Sequence, residues 1–203
     1  MERHMEKSLS NRSMKYLFIL LLILIICIII VFLVSKSSNY KKQIIFFEEY
    51  LKNNYTLDDA TIKEFVKVFE ILYDEFPYVT EYVYPIELLA IGIVETNFEN
   101  VKGDSGESLG YFQIQAPTYW YLKHNYPEFY QRINFLEPWY WDNIKERPDV
   151  QLLTSILYLY DIKLRFGEED AYSIYNGGSE TYKDKILLRL NILENEFKTF
   201  NRR

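Results

Sequence analysis

Histidine and cysteine are almost missing from this chain, with two His and one Cys in 203 residues. A lone cysteine excludes an internal disulfide framework, and two histidines leave little for a zinc site. Basic residues are also outnumbered: 23 Lys and Arg face 29 Asp and Glu, a formal net charge of −6. That balance argues against a nucleic-acid partner. Glycine and proline are sparse, seven and six residues. No internal repeat is visible, and the one low-complexity stretch is apolar.

That stretch is YLFILLLILIICIIIVFLV, Tyr16 to Val34, without a charge, a proline or a glycine. As a helix it is about 28 Å long, the thickness of a bilayer's hydrocarbon core. A buried core helix is rarely apolar on every face in so small a domain. A signal peptide is the stronger rival, because Arg3, Lys7, Arg12 and Lys15 precede the run. The run is longer than an ordinary signal core, however, and VSKSS behind it is a poor cleavage site. Ile26 stands where a lipoprotein cysteine would need a small neighbour, so Cys27 reads as a small apolar residue in lipid. The segment is therefore expected to be one retained N-terminal transmembrane helix, 16–34, behind a cytoplasmic tail, 1–15. Lys36, Lys41 and Lys42 follow the span, so the charge rule favours a cytoplasmic N-terminus only narrowly.

Residues 35–55 read as a tether and first helix. The polar connector Ser35 to Lys42 reaches at most about 28 Å if extended. Residues 56–203 read as one mainly α domain; the chain after residue 34 has 27 acids against 19 bases, net −8, the acidity of a solvated surface. Thr56 to Asp59 offer caps for a helix through Phe76, with Ile62, Phe65, Val66, Phe69 and Leu72 on one face. Pro85 suits the first turn of a helix ending near Glu95 or Thr96. Asn100 to Gly110 is loop or short hairpin, giving a small β element around 98–115. Further helices are expected from Pro148 to about Arg165, from Glu168 to about Tyr175, and from Glu180 to Phe200.

Glu95 is the leading catalytic candidate. It closes PIELLAIGIVE, an apolar helix whose other acid, Glu87, lies in the first turn. The negative end of the helix dipole and desolvation by apolar neighbours both disfavour its ionisation. A carboxyl raised in this way can serve as a general acid. On position alone, a surface glutamate at a fraying helix end is the better reading, and the loop that follows changes that.

The residues that follow are ETNFENVKGDSGESLGYFQIQAPTYW. With them the chain resembles the SLT-type lytic transglycosylases of the lysozyme-like superfamily. Their motif places a glutamate at a helix end, an aromatic three residues on, a glycine-containing loop, and then G-x-x-Q-hydrophobic-x-P-x-T. Glu95, Phe98, Gly110, Gln113, Ile114 and Thr118 fit, with one extra residue before the proline in QIQAPT. Tyr158-Leu159 with Phe166-Gly167, and Ala171 through Gly178, are similar to two further blocks of the family. The likeness covers about residues 84–185. Thr96, Tyr111-Phe112 and the loop GDSGES depart from the commonest pattern and bear on sugar preference.

The resemblance implies a mainly α, α+β lysozyme-like fold and cleavage of the MurNAc-GlcNAc β-1,4 bond of peptidoglycan. Glu95 would protonate the glycosidic oxygen. As a carboxylate it would then take the C6 hydroxyl proton of the same sugar, closing a 1,6-anhydro ring without water or a second carboxylate. Gln113, Tyr175 and Asn176 are implied substrate-binding residues, with Ser108 and Phe112 as weaker ones; Tyr175 and Asn176 also read as helix-end packing and a cap. Asp104 could act as a second carboxylate that positions water, as in hydrolytic muramidases. Its ordinary reading is a turn aspartate between Gly103 and Gly106. No cofactor or metal is implied. The expected partners are peptidoglycan glycan strands, the cytoplasmic membrane and an envelope-spanning machine, with the domain outside that membrane. A non-catalytic glycan-binding scaffold is the alternative from another class, since fold alone does not give function.

GDSG, residues 103–106, also spells a serine-protease signature. That chemistry needs a histidine beside the serine. Only His124 lies in the domain, His4 being beyond the anchor, and the helical pattern contradicts a double β-barrel. His124 reads as a surface residue. Among 19 Tyr, 14 Phe and 3 Trp, most must be core or amphipathic surface. Trp120, Trp139 and Trp141 are the candidates for stacking on sugar.

Overall fold

The computed structural model describes residues 2–134 and 141–202, so Trp139 lies outside the described residues. The chain is mostly helical and divides into two compact units, meeting between Lys41 and Lys42. Helix α1 (Glu2–Asn54) begins in the first unit and ends in the second. In the first unit its apolar stretch is long and hydrophobic enough to cross a membrane, with a peak mean hydropathy of 3.7 and no burial. Side chains from Phe18 to Val31, Cys27 included, are exposed all round the helix. The connector, residues 35–42, is helical and not extended. It holds no proline or glycine to stop the helix.

In the second unit, the end of α1 buries Phe47 and Leu51 completely. Helix α2 (Asp59–Glu75) starts where the sequence predicts: Asp58 Oδ1 accepts from Thr61 N at 2.8 Å, and Ile62, Phe65, Phe69 and Leu72 face inward. Helix α3 (Pro85–Thr96) has proline in its first turn, and Tyr84 N donates back to Glu87 Oε2 at 2.8 Å. Three two-residue strands follow as an antiparallel meander: β1 (Lys102–Gly103), β2 (Ser108–Leu109) and β3 (Ile114–Gln115). Lys102 pairs with Leu109, and Leu109 with Ile114. Helices α4 (Ala116–Asn125) and α5 (Pro127–Arg132) and a 3₁₀ segment (Trp141–Glu146) lead into α6 (Pro148–Phe166). Helix α7 (Ala171–Tyr175) begins three residues later than the sequence suggests, and α8 (Glu180–Phe200) closes the fold.

Helix α6 is the central post. Its residues from Val150 to Leu157 are all buried, and α2, α3, α4, α5 and α7 pack around it. Gln151, fully buried, fastens the hairpin to this post. Its Oε1 accepts from Tyr111 N at 2.9 Å, while Nε2 donates to the carbonyls of Ile144 and Lys145. A side chain on Gly110 would strike Gln151 Oε1 at 1.9 Å, so that position must be bare. The second seam is aromatic: Phe98 packs against Phe47, Phe65 and Phe112 with ring centroids 6.0–6.4 Å apart. Phe98 also lies against bare Gly92 of α3, where a methyl group would meet its ring at 2.5 Å.

Candidate active site

Glu95 is the penultimate residue of α3, and the way that helix stops determines what surrounds it. Asn97 adopts a left-handed conformation (φ 53°), and Phe98 N donates to Gly92 O at 3.2 Å. The reversal buries Phe98 and leaves Glu95 half-buried on the other side. Thr96 Oγ1 donates to Tyr111 O at 2.8 Å, which holds the helix end to the hairpin.

Beside Glu95 is a cavity of about 540 Å³, lined also by Asp104, Gln113, Thr118, Tyr158, Tyr175 and Asn176. Four sequence-distant regions meet here: the end of α3, the hairpin with the start of α4, the middle of α6, and the α7–α8 turn. Glu95 Oε1 accepts a 2.6 Å hydrogen bond from the hydroxyl of Tyr182, in the first turn of α8. Burial pushes the Glu95 carboxyl up to about 7; the Tyr182 bond opposes this, and the charge of Asp104 adds to it. Burial also raises the phenols of Tyr182 and Tyr175, so both remain protonated donors at neutral pH. The two rings are stacked, 6.3 Å apart and 7° from parallel. Tyr175 is anchored from behind: its hydroxyl lies 2.7 Å from Ser155 Oγ and donates to Phe112 O at 3.5 Å.

Gln113 has a positive φ of 48°. Its Nε2 donates to Gly110 O at 2.8 Å, and its Oε1 lies 2.7 Å from Ser108 Oγ. Ser108 Oγ also lies 3.1 Å from Asp104 Oδ2, with a single hydroxyl proton to share between the two acceptors. Asp104 sits in a 3₁₀ turn, exposed, with φ 47°, and its carboxylate borders the cavity. It is both the turn aspartate and a cavity residue.

Five residues named from the sequence, Glu95, Asp104, Gln113, Tyr175 and Asn176, therefore line one cavity. Two others are corrected. Phe112 has no exposed surface; its ring lies 5.9 Å from that of Phe65 in the core, and only its carbonyl faces the site, toward Tyr175. Ser108 is 1% exposed and acts from beneath, tying Asp104 and Gln113 together. The tryptophan expectation also shifts. Trp120, 45% exposed, and Trp141, 5.8 Å from Tyr119, are not among the residues lining the cavity, whose aromatic walls are Tyr158 and Tyr175. His124 is exposed at the end of α4.

Tyr182 is the residue that sequence reasoning missed. With Ile186, Leu193 and Phe197 it forms the buried stripe of α8, so it reads as packing. Nothing in that spacing reveals the direction of its hydroxyl. Comparison of the chain with protein-family models, with curated proteins and with solved structures gives no match.

The arrangement provides a sheltered acid that holds its proton near neutrality, a donor that fixes one of its oxygens, and a polar trough open to a ligand. A half-buried carboxyl that can both give and regain a proton near neutrality is equipped for general acid–base chemistry.

Proposed function

We propose that this protein is a membrane-anchored, lysozyme-like lytic transglycosylase acting on the MurNAc-GlcNAc β-1,4 bond of peptidoglycan. The observation that carries the reading is Glu95: a half-buried carboxyl at a helix end, raised to about 7, bonded to Tyr182 and bordering a cavity with Gln113, Tyr175 and Asn176. The order of motifs from Glu95 to Gly178 supports the same reading. In it the N-terminus is cytoplasmic, residues 16–34 cross the cytoplasmic membrane, and the domain works on glycan strands outside it.

In the first step Glu95 donates its proton to the glycosidic oxygen as the C1–O bond breaks. The developing positive charge at C1 is met by the C6 oxygen of the same sugar, whose hydroxyl proton passes to the Glu95 carboxylate. The ring closes as a 1,6-anhydro product, and the acid is restored. Tyr182 keeps the carboxyl oriented through both transfers, donating more strongly when the group is charged.

One observation favours a second reading. Asp104 borders the same cavity as Glu95 and raises its proton affinity. Two carboxyls on one trough are the equipment of a hydrolytic muramidase, in which Asp104 would position water. Mass spectrometry of the products from purified sacculi tests both readings. Anhydro-muramyl ends support the transglycosylase, and loss of those ends in Glu95→Gln ties them to the site. Reducing ends, abolished by Asp104→Asn, would replace it with the muramidase. Binding of sacculi with no release of fragments by the wild type would leave a glycan-gripping scaffold.

A further inference from the structure

One wall of the cavity continues beyond it along α4 and α6. Thr118 and Tyr158 line the cavity itself. Nearly one turn further along α4 is Tyr121, 41% exposed; two turns further along α6, about 10.5 Å by helical rise, is Arg165. These side chains converge. The Arg165 guanidinium carbon lies 5.6 Å from the centre of the Tyr121 ring and 5.1 Å from that of Phe166, which is 54% exposed.

Beneath them is Asp161, with a side chain only 5% exposed. Its Oδ2 lies 2.6 Å from Arg165 Nη2, and its Oδ1 accepts from the hydroxyls of Tyr121 at 3.3 Å and Tyr126 at 2.9 Å. The guanidinium is thus held from below while half of the Arg165 side chain stays open to solvent. A guanidinium carries five N–H donors in a planar fork, a shape that matches a carboxylate. Burial raises the Tyr158 phenol and the Arg165 charge works against that rise, so the cavity wall and the guanidinium are within electrostatic reach.

We infer that Tyr121, Arg165 and Phe166 form a second recognition patch of the cleft, in which Arg165 takes a carboxylate of the peptide stem branching from the glycan. Tyr121 and Phe166 offer apolar faces beside that ion pair. The inference rests on the peptidoglycan reading above and goes beyond it: the preferred substrate is a strand whose stems carry free carboxylates. Arg165 is a specificity residue and takes no part in bond breaking.

The test uses the full chain in detergent and two preparations of sacculi. One is native; in the other, carbodiimide and methylamine have turned the stem carboxylates into neutral amides with the glycan left intact. Binding is measured with Glu95→Gln, and cleavage with the otherwise unaltered protein. Amidation should weaken binding about tenfold, the scale of one charge-assisted pair. Arg165→Gln should reproduce that loss on native sacculi and add nothing on amidated ones, with Arg165→Lys in between. Phe166→Ser leaves Asp161 and Arg165 in place, so it reports on the patch even if Arg165→Gln folds poorly; it should weaken binding to native sacculi by a smaller factor. Equal binding of native and amidated sacculi by the parent protein would overturn the inference while leaving the cleavage reading intact. So would an Arg165→Gln loss of the same size on both preparations. Failure of the parent protein to bind or cut native sacculi would overturn the cleavage reading and this inference together.

Discussion

Helix α3 carries a glutamate at each end, and the two live in opposite environments. Glu87, in the first turn, is deeper, with a side chain 8% exposed, yet it is surrounded by partners. Lys163 Nζ lies 2.7 Å away, the Tyr172 hydroxyl donates to the same oxygen, and Tyr84 N donates to the other. The positive end of the helix adds to this. Glu95, in the last turn, is less buried but has one hydroxyl for company, no cation within bonding distance among the described residues, and the negative end of the same helix. Partners, more than depth, separate the glutamate that holds helices together from the carboxyl that burial pushes up to about 7. Replacement of each should therefore damage a different property. Glu95→Gln keeps the shape and can still accept from Tyr182, so the fold should survive. Release of muropeptides from sacculi should fall about 10³-fold, the middle of the range for losing a general acid. Retention of activity within a few-fold of wild type would remove Glu95 from the chemistry.

At the other end the loss should be structural. Lys163, 2% exposed in its side chain, also donates to Tyr82 O, so it joins α6 to α3 and to the loop before α3. Lys163→Met strands Glu87 without its cation and should cost about 3–5 kcal/mol, read as a lower midpoint in denaturant. Adding Glu87→Gln removes the stranded charge and should restore part of that loss. If the double variant were no better than the single one, the contribution of Lys163 would be packing by its stem and not charge.

The contrast also explains what could be read from the sequence. Pro85, Glu87 and Glu95 could be placed on α3 because proline, an early acid and an apolar run mark a helix without knowledge of its neighbours. The capping stretch Thr56 to Asp59 and Pro148 marked other helix starts in the same way. Helices α4 and α5 were passed over because Tyr119, Trp120, Tyr121 and Tyr126 have weak helix preference and no clean apolar stripe. Their order comes from packing on α6. In the site, Gln113, Tyr175 and Asn176 were legible through local motifs. Tyr182 was not, since its pairing with Glu95 spans 87 residues and is decided by the packing of α8 on α3. Phe112 was misplaced for a related reason: a residue next to Gln113 can have its side chain in the core and only its carbonyl at the site.

The raised Glu95 carboxyl carries a stability signature of opposite sign to that of an ion-paired acid. Its pKa is about 7 in the folded chain, against an ordinary 4.5. Between those values the folded form binds more protons than the unfolded one. Its stabilising contribution is therefore complete below about pH 4.5 and is lost as pH rises through about 7. From pH 5 to pH 8 the wild type should lose about 2–3 kcal/mol more than Glu95→Gln, and at pH 8 the variant should be the more stable. Parallel curves of stability against pH for the two proteins would show that Glu95 ionises as freely as an exposed acid.

The smallest change sharpens the comparison most, because it removes the one hydrogen-bond partner of the Glu95 carboxyl among the described residues. Tyr182→Phe deletes a hydroxyl and leaves the ring to stack on Tyr175. That hydroxyl favours the charged form of Glu95, so its loss should push the carboxyl still higher. Cleavage should fall about tenfold, the worth of one hydrogen bond to a group that must be held in place during proton transfer. The pH dependence should move in the direction fixed by the sign of the shift. Activity that requires a protonated acid declines as pH passes its pKa, so the alkaline limb of the profile should move to higher pH in the variant. A lower rate with an unmoved limb would mean that Tyr182 shapes the trough without touching the proton. A limb displaced to lower pH would contradict the 2.6 Å donation from Tyr182 to Glu95 Oε1.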